Sequence, residues 1–161
     1  MSLVIDTLLN SPITEELSAP EVELLSGLFD VQDYKDGEVI VQPADKQPDN
    51  LYILASGEIE VKIQSGSEKT DLHVLKPGDL AGIITFAGGA AADVQATLYA
   101  VGSTKVLSLP RSKFETLINS HPMLVYKVMR GVVRNVHGIV RRVNSQSTEL
   151  SNYIYRTHGR Y

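Results

Sequence analysis

The middle of the chain alternates short apolar runs with turn residues, from about residue 39 to residue 109. The runs are rich in Val, Ile, Leu and Tyr, and glycine-containing pairs such as Asp36-Gly37 and Pro77-Gly78 fall between them. Many short strands at close spacing are typical of an antiparallel sandwich or barrel. The predicted strands contain Val39–Val41, Leu51–Leu54, Ile59–Ile63, Leu72–Leu75, Ala96–Ala100 and Lys105–Leu109.

Helical signals flank this region. Ser18 stands before Pro20 and Glu21, so a capping serine, an early proline and a first-turn acid together predict a short helix. After Pro110, Ser112 can cap a second short helix. Residues 1–18 have only a weak helical pattern.

From Pro122 onward, apolar residues recur at alternating steps of four and three, which is the spacing of a coiled-coil seam. We therefore predict a long helix that pairs with a copy of itself. Residues 145–155 either continue this helix or form a terminal arm. The predicted dimer residues are Val125, Met129, Val132, Val136, Ile139 and Val143.

Charge is divided unevenly along the chain. Residues 1–110 carry 17 acidic and 6 basic side chains, whereas residues 111–161 carry 2 and 9. A basic end can bind nucleic acid, or it can pack near acidic surface of its own body or of a second copy; we favour the second interpretation. Four basic residues fall on roughly the opposite side of the predicted helix from the seam: Lys127, Arg130, Arg134 and Arg141.

The chain of 161 residues, 43% of them hydrophobic, is long enough for one well-buried domain with an appended element. We expect an N-terminal segment at 1–18, a barrel with short flanking helices at 19–120, and a long helix with a tail at 121–161. There is no apolar run of about 18 residues and no signal-peptide pattern, so no membrane contact is expected and a cytoplasmic location is the default.

The sequence offers little chemistry for catalysis or for metals. It contains no cysteine, which excludes disulfides and Cys-based zinc sites. None of the four histidines has a carboxylate at metal-ligand spacing, and no Ser–His–Asp pattern can be recognised. We expect no cofactor, no metal and no enzymatic activity.

Four short motifs occur in the order found in the cyclic nucleotide-binding domain family. Tyr34–Ile40 resembles its opening Tyr-x-x-Gly-Glu-x-Ile, and Tyr52–Gly57 resembles its Tyr-x-Ile-x-x-Gly. Leu75–Asp79 resembles the turn that leads into the phosphate cassette. Val106–Ile118 and the following His121-Pro122 are similar to the exit into the dimer helix in the catabolite activator branch, the Crp/Fnr-like proteins.

The resemblance covers about residues 20–145 and implies a mainly β fold with flanking helices. The expected architecture is a double-stranded β-helix, that is, a jelly-roll or cupin-like barrel of about eight strands, followed by a long C-terminal dimerisation helix. It implies a regulatory protein of the signal-transduction type found in bacteria.

The resemblance also implies a nucleotide site in the cassette. In the family, the cassette reads roughly Phe-Gly-Glu-Leu, a short loop, then Pro-Arg-x-Ala-Thr; the glutamate binds the ribose hydroxyl and the arginine binds the cyclic phosphate. In this chain, Ile83 takes the place of the glutamate and Val94 that of the arginine. The site residues by resemblance are Gly82, Ile83, Ile84, Val94, Gln95, Ala96 and Thr97.

Both ligand positions are therefore aliphatic, and residues 81–100 contain no Lys, Arg or His. A charge-assisted hydrogen bond is worth about 1.5–3 kcal/mol, and an unpaired buried charge costs about as much again. Loss of the arginine alone should weaken binding by about 100-fold or more. We predict a degenerate site in a regulatory or sensor module that acts through a homodimer and protein contacts.

Two alternatives remain at the sequence level. The chain could be a functional cyclic-nucleotide sensor that uses the backbone amides of Gly88 and Gly89, or an arginine of the other subunit. It could also be a relative of transcription regulators without the DNA-reading domain, since residues 144–161 are too few for a helix-turn-helix domain. Residues 153–155 either bind a protein partner or pack on the second subunit.

Overall fold

The computed structural model describes residues 2–42, 49–65, 68–89 and 96–158, and it describes the backbone alone at 63–65, 68–72 and 143–158. Within these residues, the strands are β1 Asp30–Tyr34, β2 Val39–Val41, β3 Asn50–Ser65, β4 Glu68–Leu75, β5 Leu80–Ala81 and β6 Ala96–Pro110. The helices are α1 Leu3–Leu9, α2 Ala19–Ser26, α3 Ile83–Phe86, α4 Arg111–Glu115, α5 Leu117–Ser120 and α6 Pro122–His158, and Pro12–Thr14 forms a 3-10 turn.

Two long strands, β3 and β6, pair antiparallel along their length and organise the sheet. Their register shifts on both sides of Ser56, and this irregularity bends the pair without breaking it. The outer strands β1 and β5 flank one part of the pair, and β2 and β4 flank the other. Over the described residues, the path β1–β6–β3–β4 does not close on itself.

The predicted mainly β class with flanking helices and a long C-terminal helix is confirmed. Over the described ranges there are six strands, fewer than the expected number of about eight, because runs predicted as separate strands are parts of one. Leu51–Leu54 and Ile59–Ile63 both belong to β3, and Ala96–Ala100 and Lys105–Leu109 both belong to β6. A bulge leaves the chain extended, so the turn residues between these runs bend a strand rather than end it.

Alternation along β3 divides the core in two. Leu51 and Ile53 face the helices and join the larger hydrophobic cluster. Tyr52 and Leu54 face the inside of the bent sheet, which we call the roll. Because successive side chains in a strand point to opposite faces, one strand can serve both clusters. Strand β6 does the same, with Leu107 in the helical cluster and Val106 in the inner one.

The helix ends follow local chemistry. Ser18 accepts a hydrogen bond from the Glu21 amide, so the predicted capping serine is confirmed; the Glu21 carboxylate also accepts one from the Ser18 amide, which completes a capping box. The predicted cap at Ser112 is wrong. Helix α4 begins at Arg111, directly after the extended Pro110, and has no side-chain cap. Pro110 ends β6 with a φ of −64°, which already suits helix entry.

The long helix α6 starts at Pro122, and residues 145–158 continue it. Its first half packs on the core through Leu124, Val128 and Val132. Among the helices described, none combines the length and the apolar content needed to span a membrane.

Candidate functional site

The backbone of the cassette is fixed by one glycine. Strand β5 pairs with β3 opposite Tyr52 and Ile53, and Gly82 follows with a φ of +77°. A Cβ at this position would lie 2.4 Å from the carbonyl oxygen of Asn50. Only glycine therefore fits both the left-handed backbone and the close approach. This part of the cassette keeps its shape.

Helix α3 is held by packing on its inner side. Phe86 is 3% exposed, and its ring centroid lies 5.3 Å from that of Phe114 in α4. Ile83 packs against the same cluster, whereas Ile84 is 56% exposed. The residue in the place of the family's glutamate is thus a core contact and offers no polar atom.

The other predicted site residues are spread along the chain. Ala96 and Thr97 lie at the start of β6, half-buried, where they pair with Ile63 and Lys62 of β3. Val94 and Gln95 lie outside the described residues. The structure therefore brings Gly82 and Ile83 together beside β3, turns Ile84 outward, and leaves the position of the family's arginine as a prediction from sequence.

The amides that follow α3 already have partners. The Gly88 amide donates to the Thr85 carbonyl at 3.1 Å, and the Gly89 amide donates to the Ile84 carbonyl at 2.8 Å. The Ala87 amide likewise donates to the Ile83 carbonyl at 2.9 Å. A phosphate bound by Gly88 and Gly89 would have to break two of these hydrogen bonds, so this loop is not a preformed anion cradle.

One cation that sequence reasoning missed does reach the cassette. Nη1 of Arg111 donates to the Thr85 carbonyl oxygen at 3.4 Å. Its Nη2 lies 2.8 Å from Oδ2 of Asp49, and its Nε lies 3.4 Å from Oε1 of Glu115. Two carboxylates therefore compensate this guanidinium, and it is not free to neutralise a phosphate. Twenty-six positions separate Arg111 from Thr85, and no local motif signals the contact.

The described residues contain no group of three or more His, Asp or Glu side chains that could hold a metal ion. Near α3, the described part of the site offers aliphatic side chains and backbone amides that already donate to carbonyl oxygens. Its cation is Arg111, whose charge is compensated by Asp49 and Glu115. Such a surface can accommodate an uncharged group, but it offers little to offset the desolvation of a phosphodiester.

The long helix has three faces, because successive residues turn by about 100°. Leu124, Val128 and Val132 form the core face. Lys127, Arg130 and Arg134 lie together on a second side, which we call the basic face. The third side, the outward face, carries the apolar residues Tyr126, Val133, Val136 and Val140, all of which are exposed.

The basic face is paired with acids of the N-terminal region. Nζ of Lys127 lies 3.0 Å from Oε1 of Glu21. Oε2 of Glu16 accepts from Nε of Arg130 at 2.9 Å and from Nη1 of Arg134 at 3.0 Å. The hydrogen bonds from Arg134 and Arg130 lower the pKa of the Glu16 carboxyl below its ordinary value. These three basic residues therefore pack on acidic surface of their own chain.

The outward face differs from the predicted dimer seam. Val132 is 3% exposed in the chain's own core, and Val125 and Met129 pack partly against that core. Val136 and Ile139 are exposed, and Val143 belongs to the part of α6 described by its backbone alone. A spacing of three and four fits both the core face and the outward face, so periodicity could not separate them. Dimerisation itself stays a prediction.

The family profile described as Cyclic nucleotide-binding domain matches residues 31–121, which is more than half of the chain. The chain belongs to this family. The jelly-roll class agrees with a crystal structure of a cyclic nucleotide-binding domain from Methylobacillus flagellatus KT, which superposes with a TM-score of 0.79. That alignment covers 88% of this chain and 81% of that one, at 17% sequence identity.

Two further relatives belong to the regulator branch. The Thermus thermophilus catabolite activator protein matches with a TM-score of 0.65 and 27% identity, over 90% of this chain and 64% of that one. The HTH-type transcriptional regulator Cmr of Mycobacterium tuberculosis (strain CDC 1551 / Oshkosh) is 27% identical over 120 residues, or 74% of this chain. The chain spans about half the length of this curated relative, 48%. The Crp/Fnr-like resemblance is thus confirmed.

Proposed function

We propose that this chain is a non-catalytic regulatory module of the cyclic nucleotide-binding fold whose cassette does not bind cAMP or cGMP in the family's usual way. The observation that carries the proposal is the missing countercharge. Residues 81–100 contain no basic side chain, and Arg111, which touches the cassette from outside, is compensated by Asp49 and Glu115. A buried phosphate without a cation loses about 1.5–3 kcal/mol from each missing charge-assisted hydrogen bond.

The amide hydrogen bonds support the same conclusion. If the chain used the amides of Gly88 and Gly89 as its phosphate ligands, those amides would need to point away from carbonyl groups. Both amides instead donate hydrogen bonds to the carbonyl oxygens of Thr85 and Ile84. A cyclic-nucleotide sensor with non-standard contacts would have to reorganise this loop or obtain an arginine from a second subunit.

Isothermal titration calorimetry of the full chain with cAMP and with cGMP tests the proposal. The expected result is no saturable heat at micromolar nucleotide. Micromolar or tighter binding would overturn it. In that case, repeating the titration after disruption of the outward face would show whether a second subunit supplies the missing cation.

We propose further that the module acts as a homodimer through the outward face of α6. Four side chains at positions 126, 133, 136 and 140 are exposed along one side of a helix whose other two sides, up to Arg134, are packed on the core or paired with acids. A continuous apolar stripe on a helix is stabilised when it is buried against another helix. A change in the former nucleotide site would be transmitted as a shift of α6 relative to the roll.

A second candidate function follows from the 27% identity to the HTH-type regulator. As part of a transcription regulator, this module would control a DNA reader. The basic face is not suited to contact DNA directly, because Lys127, Arg130 and Arg134 are paired with glutamates. Fluorescence anisotropy with duplex DNA at 50 and 200 mM salt tests direct binding. A steep loss of affinity with salt would indicate phosphate contacts and would contradict this assignment of the basic face.

A further inference from the structure

Helix α6 leaves the body of the protein at a defined point. Among the residues of α6 whose side chains are described, Val132 is the last buried aliphatic one, and those from Val136 to Arg142 are exposed. One residue earlier, a Cβ on Gly131 would lie 2.5 Å from the Pro12 carbonyl oxygen and 2.7 Å from Cα of Ile13. The 3-10 turn therefore abuts the helix where the helix begins to project.

Several ion pairs lie close to this contact between α6 and the 3-10 turn. Glu16 binds both Arg130 and Arg134, and Oε2 of Glu15 lies 3.2 Å from Nε of Arg134. Nη1 of Arg130 also donates to the Tyr126 hydroxyl at 3.2 Å. The two arginines are one turn apart, so a single carboxylate joins successive turns of α6 to the segment just after the 3-10 turn.

We propose that Glu15, Glu16, Arg130 and Arg134 form an ionic clamp that fixes the direction in which the second half of α6 leaves the body. The clamp does not dock the helix, since the burial of Leu124, Val128 and Val132 does so and exposed ion pairs add little to docking. It ties the last docked turn of α6 to the segment that follows the 3-10 turn.

The clamp lies well before the end of α6, so a small change of angle there moves the far end of the helix by a larger distance. Residues 136–158 are helical and span roughly 33 Å at about 1.5 Å per residue. A tilt of about 10° at the clamp would displace the far end of such a helix by about 6 Å. The clamp would thereby set how the outward face is presented to a second copy. This last consequence rests on the proposed homodimer, whereas the clamp itself is a property of one chain.

Because the sequence has no cysteine, spin labels can be placed at will. Leu9→Cys in α1 and Arg142→Cys in α6 are exposed sites, and double electron–electron resonance measures the distance between labels attached there. Dilution of the labelled chain with an excess of unlabelled chain leaves intrachain distances only, so a failure of the homodimer proposal would not affect the result.

Glu16→Lys should shift or broaden this distance by about 2 Å, which is what a tilt of about 10° gives at Arg142, roughly 12 Å along α6 from Arg134. The charge-swapped variant Glu15→Lys/Glu16→Lys/Arg130→Glu/Arg134→Glu reverses every charge of the clamp and should restore a narrow distribution. Asp33→Lys, which breaks an exposed ion pair with Lys105 on the roll, is the matched control and should leave the distance unchanged. An unchanged distribution in Glu16→Lys, a failure of the swap to restore it, or an equal shift in the control would overturn the proposal.

Discussion

Members of this family are expected to bind a ligand at the cassette and to pair through the long helix. In this chain, the two regions differ in the side chains that they offer for these roles. In the described part of the cassette, Gly82 lies against the Asn50 carbonyl and α3 packs on α4, while the residues predicted at the ligand positions, Ile83 and Val94, are aliphatic. Helix α6 has one face in the core, one paired with acids and one exposed and apolar. The comparison indicates that the backbone framework of a site and its ligand-binding side chains can be lost independently.

We expect side-chain packing, and not a ligand, to stabilise the cassette. The substitution Phe86→Ala tests this expectation. Phe86 is buried against Phe114, and truncation of a buried phenylalanine costs about 3–5 kcal/mol. Urea denaturation monitored by circular dichroism measures the change. The matched control is Ile84→Ala on the exposed side of the same turn, which should change stability by no more than about 0.5 kcal/mol. Similar effects of the two substitutions would mean that α3 is not anchored as described.

The outward face of α6 should mediate pairing, and Val133→Glu/Val140→Glu tests it. Both side chains are exposed, so the folded chain tolerates the change, but two carboxylates in an apolar interface should weaken association by about 100-fold or more. Sedimentation equilibrium measures the association. Arg141→Glu on the basic side of the helix is the control and should leave the dimer intact. A wild-type chain that sediments as a monomer would contradict the homodimer proposal directly.

Two glycines of α6 should respond oppositely to the same substitution. Gly131→Ala meets the backbone of Pro12 and Ile13 and should destabilise the fold by about 1–3 kcal/mol. Gly138 has open space around it, so Gly138→Ala should stabilise the helix by up to about 1 kcal/mol. Thermal unfolding of both variants measures the contrast. A neutral Gly131→Ala would show that the helix is not held closely against the 3-10 turn.

The smallest effect concerns pH. Arg134 and Arg130 lower the pKa of Glu16, so its ion pairs stabilise the folded state above the ordinary value of 4.5 and lose this contribution as pH falls below it through the lowered pKa. The difference in Tm between wild type and Glu16→Gln should therefore be constant near neutral pH and vanish in acid. A difference that grows as pH falls would mean that the carboxylate is not paired in solution.

Much of the fold could be predicted from sequence, because strand alternation and turn glycines carry their information locally. The capping serine at position 18 and the long helix after Pro122 were also recognisable, since each depends on residues a few positions apart. The strand boundaries within β3 and β6 were not, because a bulge and a turn use the same small residues.

The candidate site was predictable only in part. The absence of basic side chains from residues 81–100 is visible in the sequence itself, and the prediction of a degenerate site rests on it. The contact of Arg111 with Thr85 and the internal hydrogen bonds of Gly88 and Gly89 depend on tertiary placement. The side of α6 that faces outward likewise depends on which side the N-terminal helices cover, and the spacing of apolar residues does not encode that choice.

We propose that the cassette lacks the charged ligand residues of its family, and restoring the arginine tests this most directly. Because Ile83 packs against the core and a glutamate there would be partly buried, only the arginine is restored: calorimetric titration of cAMP into wild type and into Val94→Arg, side by side, should give about 100-fold tighter binding for the variant. Equal affinities of the two proteins, whether both bind at micromolar concentration or neither does, would contradict the account.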